Sequence, residues 1–231
     1  MKLTQEQIEI KLLTKLLTNI STNDFNSVRI SEEDIKGLYI FGSRLWETDN
    51  EESDLDYAVV LSDTASVWKF YEKQYFQRES EDIDLHIMSE SYYKNLIREC
   101  DEFGLSLFAQ ENPLIKYETN IEYKDLSLQN LRKSFSTKSN NSYVKAKKKL
   151  QDGELKIAYK SMYHSIRILE FGVSVALNIT GNETKVFDAG DIDWIKELFE
   201  ENFDNWEVIH KTMKPVFNAF ASDFKKLAPK A

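Results

Sequence analysis

The sequence predicts an α+β protein in two parts, a mixed-sheet domain over residues 1–122 and a helical domain over residues 123–231. Three observations predict it. Up to about Glu122, short apolar runs alternate with stretches of helical period, as expected when strands and helices are interleaved around one sheet. From Leu126 onward the period is helical, with no convincing strand. No low-complexity linker or internal repeat lies between the two patterns, so the parts are expected to pack directly on each other.

The elements follow in order. Residues 4–20 read as an amphipathic helix: Thr4 and Gln7 have capping-box spacing, and Ile8, Leu12, Leu13, Leu16 and Ile20 fall mostly along one side. Leu38 to Phe41 reads as a buried strand that runs into a tight turn at Gly42 and Ser43. Leu55 to Leu61 and Ile83 to Met88 are two further strands, with helical stretches at Val67 to Phe76 and Tyr92 to Cys100. In the second part, Lys145 to Gln151 and Leu155 to Asn178 read as helices, the latter closed by Gly181. A last helical region spans Asp193 to Leu227, where Pro215 is expected to break or kink it.

Composition narrows the class of function. The chain has 231 residues, 42% of them hydrophobic, enough for a sizeable core. No run approaches the roughly 18 apolar residues of a membrane span, and MKLTQEQIEIKLL lacks the apolar centre of a leader, so a soluble, cytoplasmic protein is expected with no membrane partner. Cys100 is the only cysteine, which excludes an internal disulfide and a thiolate cluster for zinc. The net charge of -9 disfavours a nucleic-acid partner on average, but the charge is unevenly spread. Residues 130–167 carry ten Lys and Arg against only Asp152 and Glu154. Such a segment attracts a polyanion locally.

The chemistry concentrates between Phe41 and Ile87. Asp54 and Asp56 alternate with Leu55 ahead of an apolar run, so a strand through them would put both carboxylates on one face. Paired carboxylates repel unless a cation lies between them, and a hard ion such as Mg²⁺ or Mn²⁺ takes oxygen ligands of this kind. Upstream, Gly42 lets the backbone approach a phosphate closely, Ser43 offers a hydroxyl and an amide, and Arg44 is within reach of a phosphate oxygen. Asp84, between Ile83 and Leu85 in the next strand, supplies a third carboxylate, with Asp82 and His86 on the same face. A calcium loop fits less well, because Asp49 to Asp56 lacks the central glycine.

Phe41-Gly42-Ser43, Asp54-Leu55-Asp56 and Asp84 together resemble the DNA polymerase β nucleotidyltransferase superfamily, whose pattern is an apolar residue, Gly-Ser, about ten residues, Asp-x-Asp and a later acidic residue. The resemblance covers about a fifth of the chain. Lys156 to Glu170, with its Tyr163-His164-x-x-Arg167 core, is similar to a helix of the bacterial and phage predicted nucleotidyltransferases that carry a C-terminal helical domain. No helix-hairpin-helix segment is apparent, which speaks against a template-directed polymerase.

The resemblance implies transfer of a nucleoside monophosphate from a nucleoside triphosphate, ATP among them, to an acceptor hydroxyl, with Asp54, Asp56 and Asp84 as metal ligands and catalytic residues, in a cleft between the two parts. Lys160, His164 and Arg167 fall at i, i+4 and i+7, one helix face; Lys160 and Arg167 are expected to grip the triphosphate and His164 to bond a phosphate or the acceptor. The basic segment makes an RNA 3′ end such as tRNA the first acceptor. A protein hydroxyl on a toxin partner is the second, and a small molecule such as an aminoglycoside the third. A catalytically silent nucleotide sensor or RNA-binding module is the rival from another class.

Overall fold

The computed structural model describes residues 30–46, 48–49, 53–71, 73–79, 83–182, 184 and 192–230. The helix expected over residues 4–20, and Asp82, lie outside the described residues. The chain divides into two units, one of residues 1–95 and 106–120, the other of residues 96–105 and 121–231.

The first unit is built on a sheet of four strands: β1 (Ile35–Ile40), β2 (Leu55–Leu61), β3 (Tyr75–Glu79) and β4 (Ile83–Ser89), in the order β1-β2-β4-β3. β1 and β2 are antiparallel, β2 and β4 parallel, and β3 and β4 antiparallel. β2 is apolar almost throughout because it is central and covered on both faces. On one face Leu38, Tyr57, Val59, Leu61, Phe76, Leu85 and Ile87 form a core with Ile30, Ala65 and Val67. Each such large apolar side chain contributes about 1.5–3 kcal/mol on burial. On the other face Tyr39 meets Tyr93, ring centroids 5.8 Å apart. The 106–120 segment returns to β1, where Leu38 and Ile115 exchange backbone hydrogen bonds and Gln110 Nε2 donates to the Ile40 carbonyl at 2.9 Å.

Two expectations are corrected here. The stretch Val67 to Phe76 is not one helix: a 3₁₀ turn covers Ser66–Phe70, and β3 begins at Tyr75. Asp54 precedes β2 instead of lying within it, because the strand's pairing starts at Leu55.

A short helical turn, α1 (Gly42–Leu45), follows β1. α2 (Glu90–Arg98) and α3 (Glu102–Phe108) each contribute residues to both units. Four helices make up most of the described part of the second unit: α4 (Leu128–Gln151), α5 (Leu155–Ile179), α6 (Asp193–Glu201) and α7 (Trp206–Leu227). α4 extends much further than the expected Lys145 to Gln151 and buries Leu131, Phe135, Ser139, Tyr143, Ala146 and Leu150 along one stripe. Gly172 of α5 sits where a side chain would lie 2.8 Å from the Phe224 ring and 2.9 Å from that of Phe135, which lets the three helices approach. The last helical region is interrupted between Glu201 and Trp206, not at Pro215, which lies exposed inside α7. Cys100 follows α2 with φ +52, fully buried, its Sγ 3.5 Å from the Ser127 carbonyl. Burial pushes its thiol up to about 11. No described helix is long and apolar enough to cross a membrane.

Candidate active site

The sheet register creates the site. β2 and β4 run parallel with Asp56 directly opposite Asp84, and β3 adds Glu79 directly opposite Asp84 on the other side. Register partners face the same way, so Asp56, Asp84 and Glu79 form a row across three neighbouring strands at one end of the sheet. β1 ends beside them, where the Phe41 amide donates to the Asp56 carbonyl at 3.0 Å.

The chain then turns sharply at Gly42, with φ +67. A Cβ there would lie 1.8 Å from Asp56 Oδ2, so only glycine allows the turn to lie against this carboxylate. The Ser43 amide donates to the same carboxylate. The Ser43 carbonyl receives the amides of Trp46 and Thr48, at 3.2 and 2.9 Å, which holds the turn in shape. Arg44 is exposed on it. Asp54, also exposed, stands immediately before β2.

Crowding of like charge is visible at Asp56. Burial first, then the charges of Asp84 and Asp54, push its carboxyl up to about 6, against the opposing pull of the Ser43 amide. Asp84 meets two polar neighbours. Gln77 Nε2 lies 2.9 and 2.8 Å from its two oxygens and donates to Glu79 Oε1 at 2.9 Å, while His86 Nε2 is 3.4 Å from Asp84 Oδ2. The His86 ring is held by the Tyr75 hydroxyl, 2.8 Å from Nδ1, and by an edge contact with Phe41, centroids 4.8 Å apart.

Among the described residues no group of three or more His, Cys, Asp or Glu is drawn together as a formed metal cluster. The donor chemistry nevertheless fits a hard divalent cation. All the candidate ligands are carboxylates, two of them face each other across the sheet, and the elevated Asp56 carboxyl is the state that a nearby cation would relieve.

Gly42, Ser43, Asp56 and Asp84 are therefore brought together, with Asp54 close enough to raise Asp56. Tyr75, Gln77 and Glu79 were missed in the sequence because the expected helix ran through Tyr75 and Phe76 and no element was assigned between Phe76 and Ile83. The alternation around Phe76 was the available signal.

The helix face expected to grip a triphosphate is different in kind. Lys160 and His164 are half-buried on α5, and Arg167 is 5% exposed. Arg167 pairs with Glu102 Oε1 at 3.2 Å and contacts His164 Nδ1. Lys138 lies 3.0 Å from Asp101 and 3.8 Å from Glu102. Burial, followed by the charges of Arg167, Lys138 and Lys145, holds His164 well below the usual imidazole range. The expectation of an open cationic grip is corrected on this point: the Arg167 guanidinium is engaged inside the second unit, by an acid 65 residues away in sequence.

Residues 23–131 match the family model described as polymerase beta, nucleotidyltransferase. No curated protein matches the chain. Among solved structures, the chain is similar to a nucleotidyltransferase-like protein from Exiguobacterium sibiricum 255-15, at 11% identity and a TM-score of 0.33, over 96% of this chain and 75% of that one.

Proposed function

We propose that this transferase, with residues 23–131 a nucleotidyltransferase domain of the polymerase β superfamily, moves a nucleoside monophosphate from a nucleoside triphosphate to an acceptor hydroxyl with the help of Mg²⁺ or Mn²⁺. The observation that carries the reading is the facing pair Asp56 and Asp84, set against the Gly42 turn, with Asp56 raised to about 6 by burial and then by its acidic neighbours. Asp54, Asp56 and Asp84 would hold the cation. When bound, it supplies charge neutralisation at the α phosphate and lowers the pKa of the attacking hydroxyl.

The chain's own residues do the rest. Gly42 lets the backbone approach the β and γ phosphates, Ser43 offers its hydroxyl to them, and Arg44 reaches a phosphate oxygen. The acceptor oxygen bonds to the α phosphorus as the bond from that phosphorus to its bridging oxygen breaks. Asp84 takes the acceptor's proton, and pyrophosphate leaves with the electron pair.

RNA is the acceptor we favour. α4 carries Arg132, Lys133, Lys138, Lys145, Lys147, Lys148 and Lys149 and no acidic residue. Arg132, Lys138 and Lys149 are engaged within the unit, while Lys133, Lys145, Lys147 and Lys148 are exposed. Lys147 lies over the Trp206 ring at 5.9 Å, so an aromatic ring borders this basic surface.

Incubation of the purified chain with each α-labelled nucleoside triphosphate, Mg²⁺ or Mn²⁺ and a cell extract should move label into RNA. Label in protein would instead identify nucleotidylation of a partner, and label in a small solute an antibiotic-like acceptor. Absence of transfer to all three, with triphosphate binding intact, would favour the silent sensor.

A further inference from the structure

We propose that Tyr75 and His86 are positioning residues that fix the hydrogen-bond donor facing Asp84, with the Tyr75 hydroxyl selecting the imidazole tautomer. The inference rests on the reading of Asp84 as the carboxylate that takes the acceptor's proton.

Three residues on two strands form the chain. Gln77 is the register partner of His86, and Glu79 of Asp84, so Tyr75, Gln77 and Glu79 stand along β3 beside His86 and Asp84 on β4. Tyr75 Oη is 2.8 Å from His86 Nδ1, and His86 Nε2 is 3.4 Å from Asp84 Oδ2. A carboxylate only accepts hydrogen bonds, and a neutral imidazole has one N–H and one lone pair. The contact to Asp84 is favourable when Nε2 carries the hydrogen, which leaves the lone pair on Nδ1. That lone pair faces a phenol hydroxyl able to donate. The opposite tautomer would turn a lone pair toward the carboxylate.

The two rings are held for this task. Tyr75 stacks on Tyr92, centroids 5.3 Å apart and planes 18° from parallel, and Phe41 meets the His86 ring edge-on. The imidazole and the carboxylate are only 19% and 23% exposed. Burial, with Tyr92 and Asp84 nearby, raises the Tyr75 phenol above its ordinary range, so the hydroxyl keeps its proton. Gln77 approaches the same carboxylate from β3. Asp84 is thus approached by an amide from β3 and an imidazole from its own strand, contacts that fix the orientation of its carboxylate.

The test begins on the metal-free wild-type chain and needs no variant. Long-range ¹H–¹⁵N spectra at about pH 8, above the ordinary histidine range, should show His86 with its proton on Nε2. In Tyr75→Phe, which keeps the stacked ring, that preference should be lost. Mn²⁺ affinity, read by electron paramagnetic resonance without triphosphate, should fall about tenfold, the low end of the range for such supporting contacts, with KM for triphosphate unchanged. His86→Gln, which keeps a donor near Nε2, should bind Mn²⁺ more tightly than His86→Asn. A wild-type His86 protonated on Nδ1, or a Tyr75→Phe chain with unaltered tautomer and Mn²⁺ affinity, would overturn the proposal. Asp84→Asn with wild-type turnover would instead remove Asp84's proton role while the tautomer result stood, so the two failures are distinguishable.

Discussion

The two units treat charge in opposite ways. In the sheet, Asp56, Asp84 and Glu79 are lined up by register and approached by an amide, an imidazole and backbone groups. In the helical unit, Arg167, Lys138, Glu102 and Asp101 are paired with one another, and Arg167 is almost entirely enclosed. Like charges gathered at a sheet end destabilise the metal-free fold and invite a ligand. Opposite charges matched in an interior lock the fold and leave little for a ligand to claim. A cluster of ionisable residues therefore marks a binding site according to whether its charges are already balanced, and among the described residues the carboxylates at the sheet end repel one another.

Asp56→Asn gives the sharpest separation. Nucleotidyl transfer should fall by about a hundredfold or more, while the variant unfolds at the same temperature as the parent or higher in chelator, because one repelling charge is gone. Turnover near that of the parent, still dependent on Mg²⁺, would end the metal assignment.

Arg167→Ala should have the reverse profile. Removing the guanidinium leaves Glu102 buried beside Lys138 alone, at a cost of about 3–5 kcal/mol in urea unfolding. If stability were unchanged and KM for triphosphate rose instead, Arg167 would belong with the ligand-binding residues and the contrast between the units would fail.

The pH dependence of the metal-free chain sharpens the contrast further. Asp56 is raised from 3.8 to about 6, so its folded state prefers the protonated form. Its contribution is full below about pH 4 and disappears as pH rises through 6. Over that window wild-type stability should decline relative to Asp56→Asn by about 1–3 kcal/mol, the lower end reflecting solvent screening at a half-buried group. Thermal melts in chelator at pH 4 and pH 7 measure it, and parallel curves would remove the charge-crowding explanation.

The smallest effect belongs to Lys148→Ala. RNA binding should weaken equally for all sequences, with a salt slope shallower by somewhat under one unit, and turnover at saturating acceptor should be unchanged. An identical slope would make the α4 lysines a solvated surface and shift preference to a protein or small-molecule acceptor.

Much of the site was legible because its chemistry is local in sequence. Gly42-Ser43 and Asp54-Leu55-Asp56 are short patterns in which residue type and spacing carry the meaning, and Asp84 stood out between apolar neighbours. β3 was not legible: it is an edge strand with only Phe76 buried, so its period-2 signal is a single residue deep. α4 was underread because Ser and Asn crowd Ser134 to Ser142, and its buried stripe passes through Ser139, whose hydroxyl is satisfied by the Ser165 carbonyl at 2.7 Å. Pro215 misled for a related reason. On the exposed side of α7, water can replace the missing backbone partner, and the helix continues. The partner of Arg167 is 65 positions away, a distance over which side-chain pattern carries no signal.

Cys100 has a practical consequence. Alkylating reagents and maleimide probes attack thiolates, and this chain's single thiol is both enclosed and held protonated to about pH 11. Toward such reagents Cys100 is expected to react slowly in the native protein. A cysteine introduced at Lys133 or Lys148, both exposed on α4, would accept a dye or spin label selectively without mutating the background. Site-specific labelling of the helical unit thereby needs one substitution and no removal of a native cysteine.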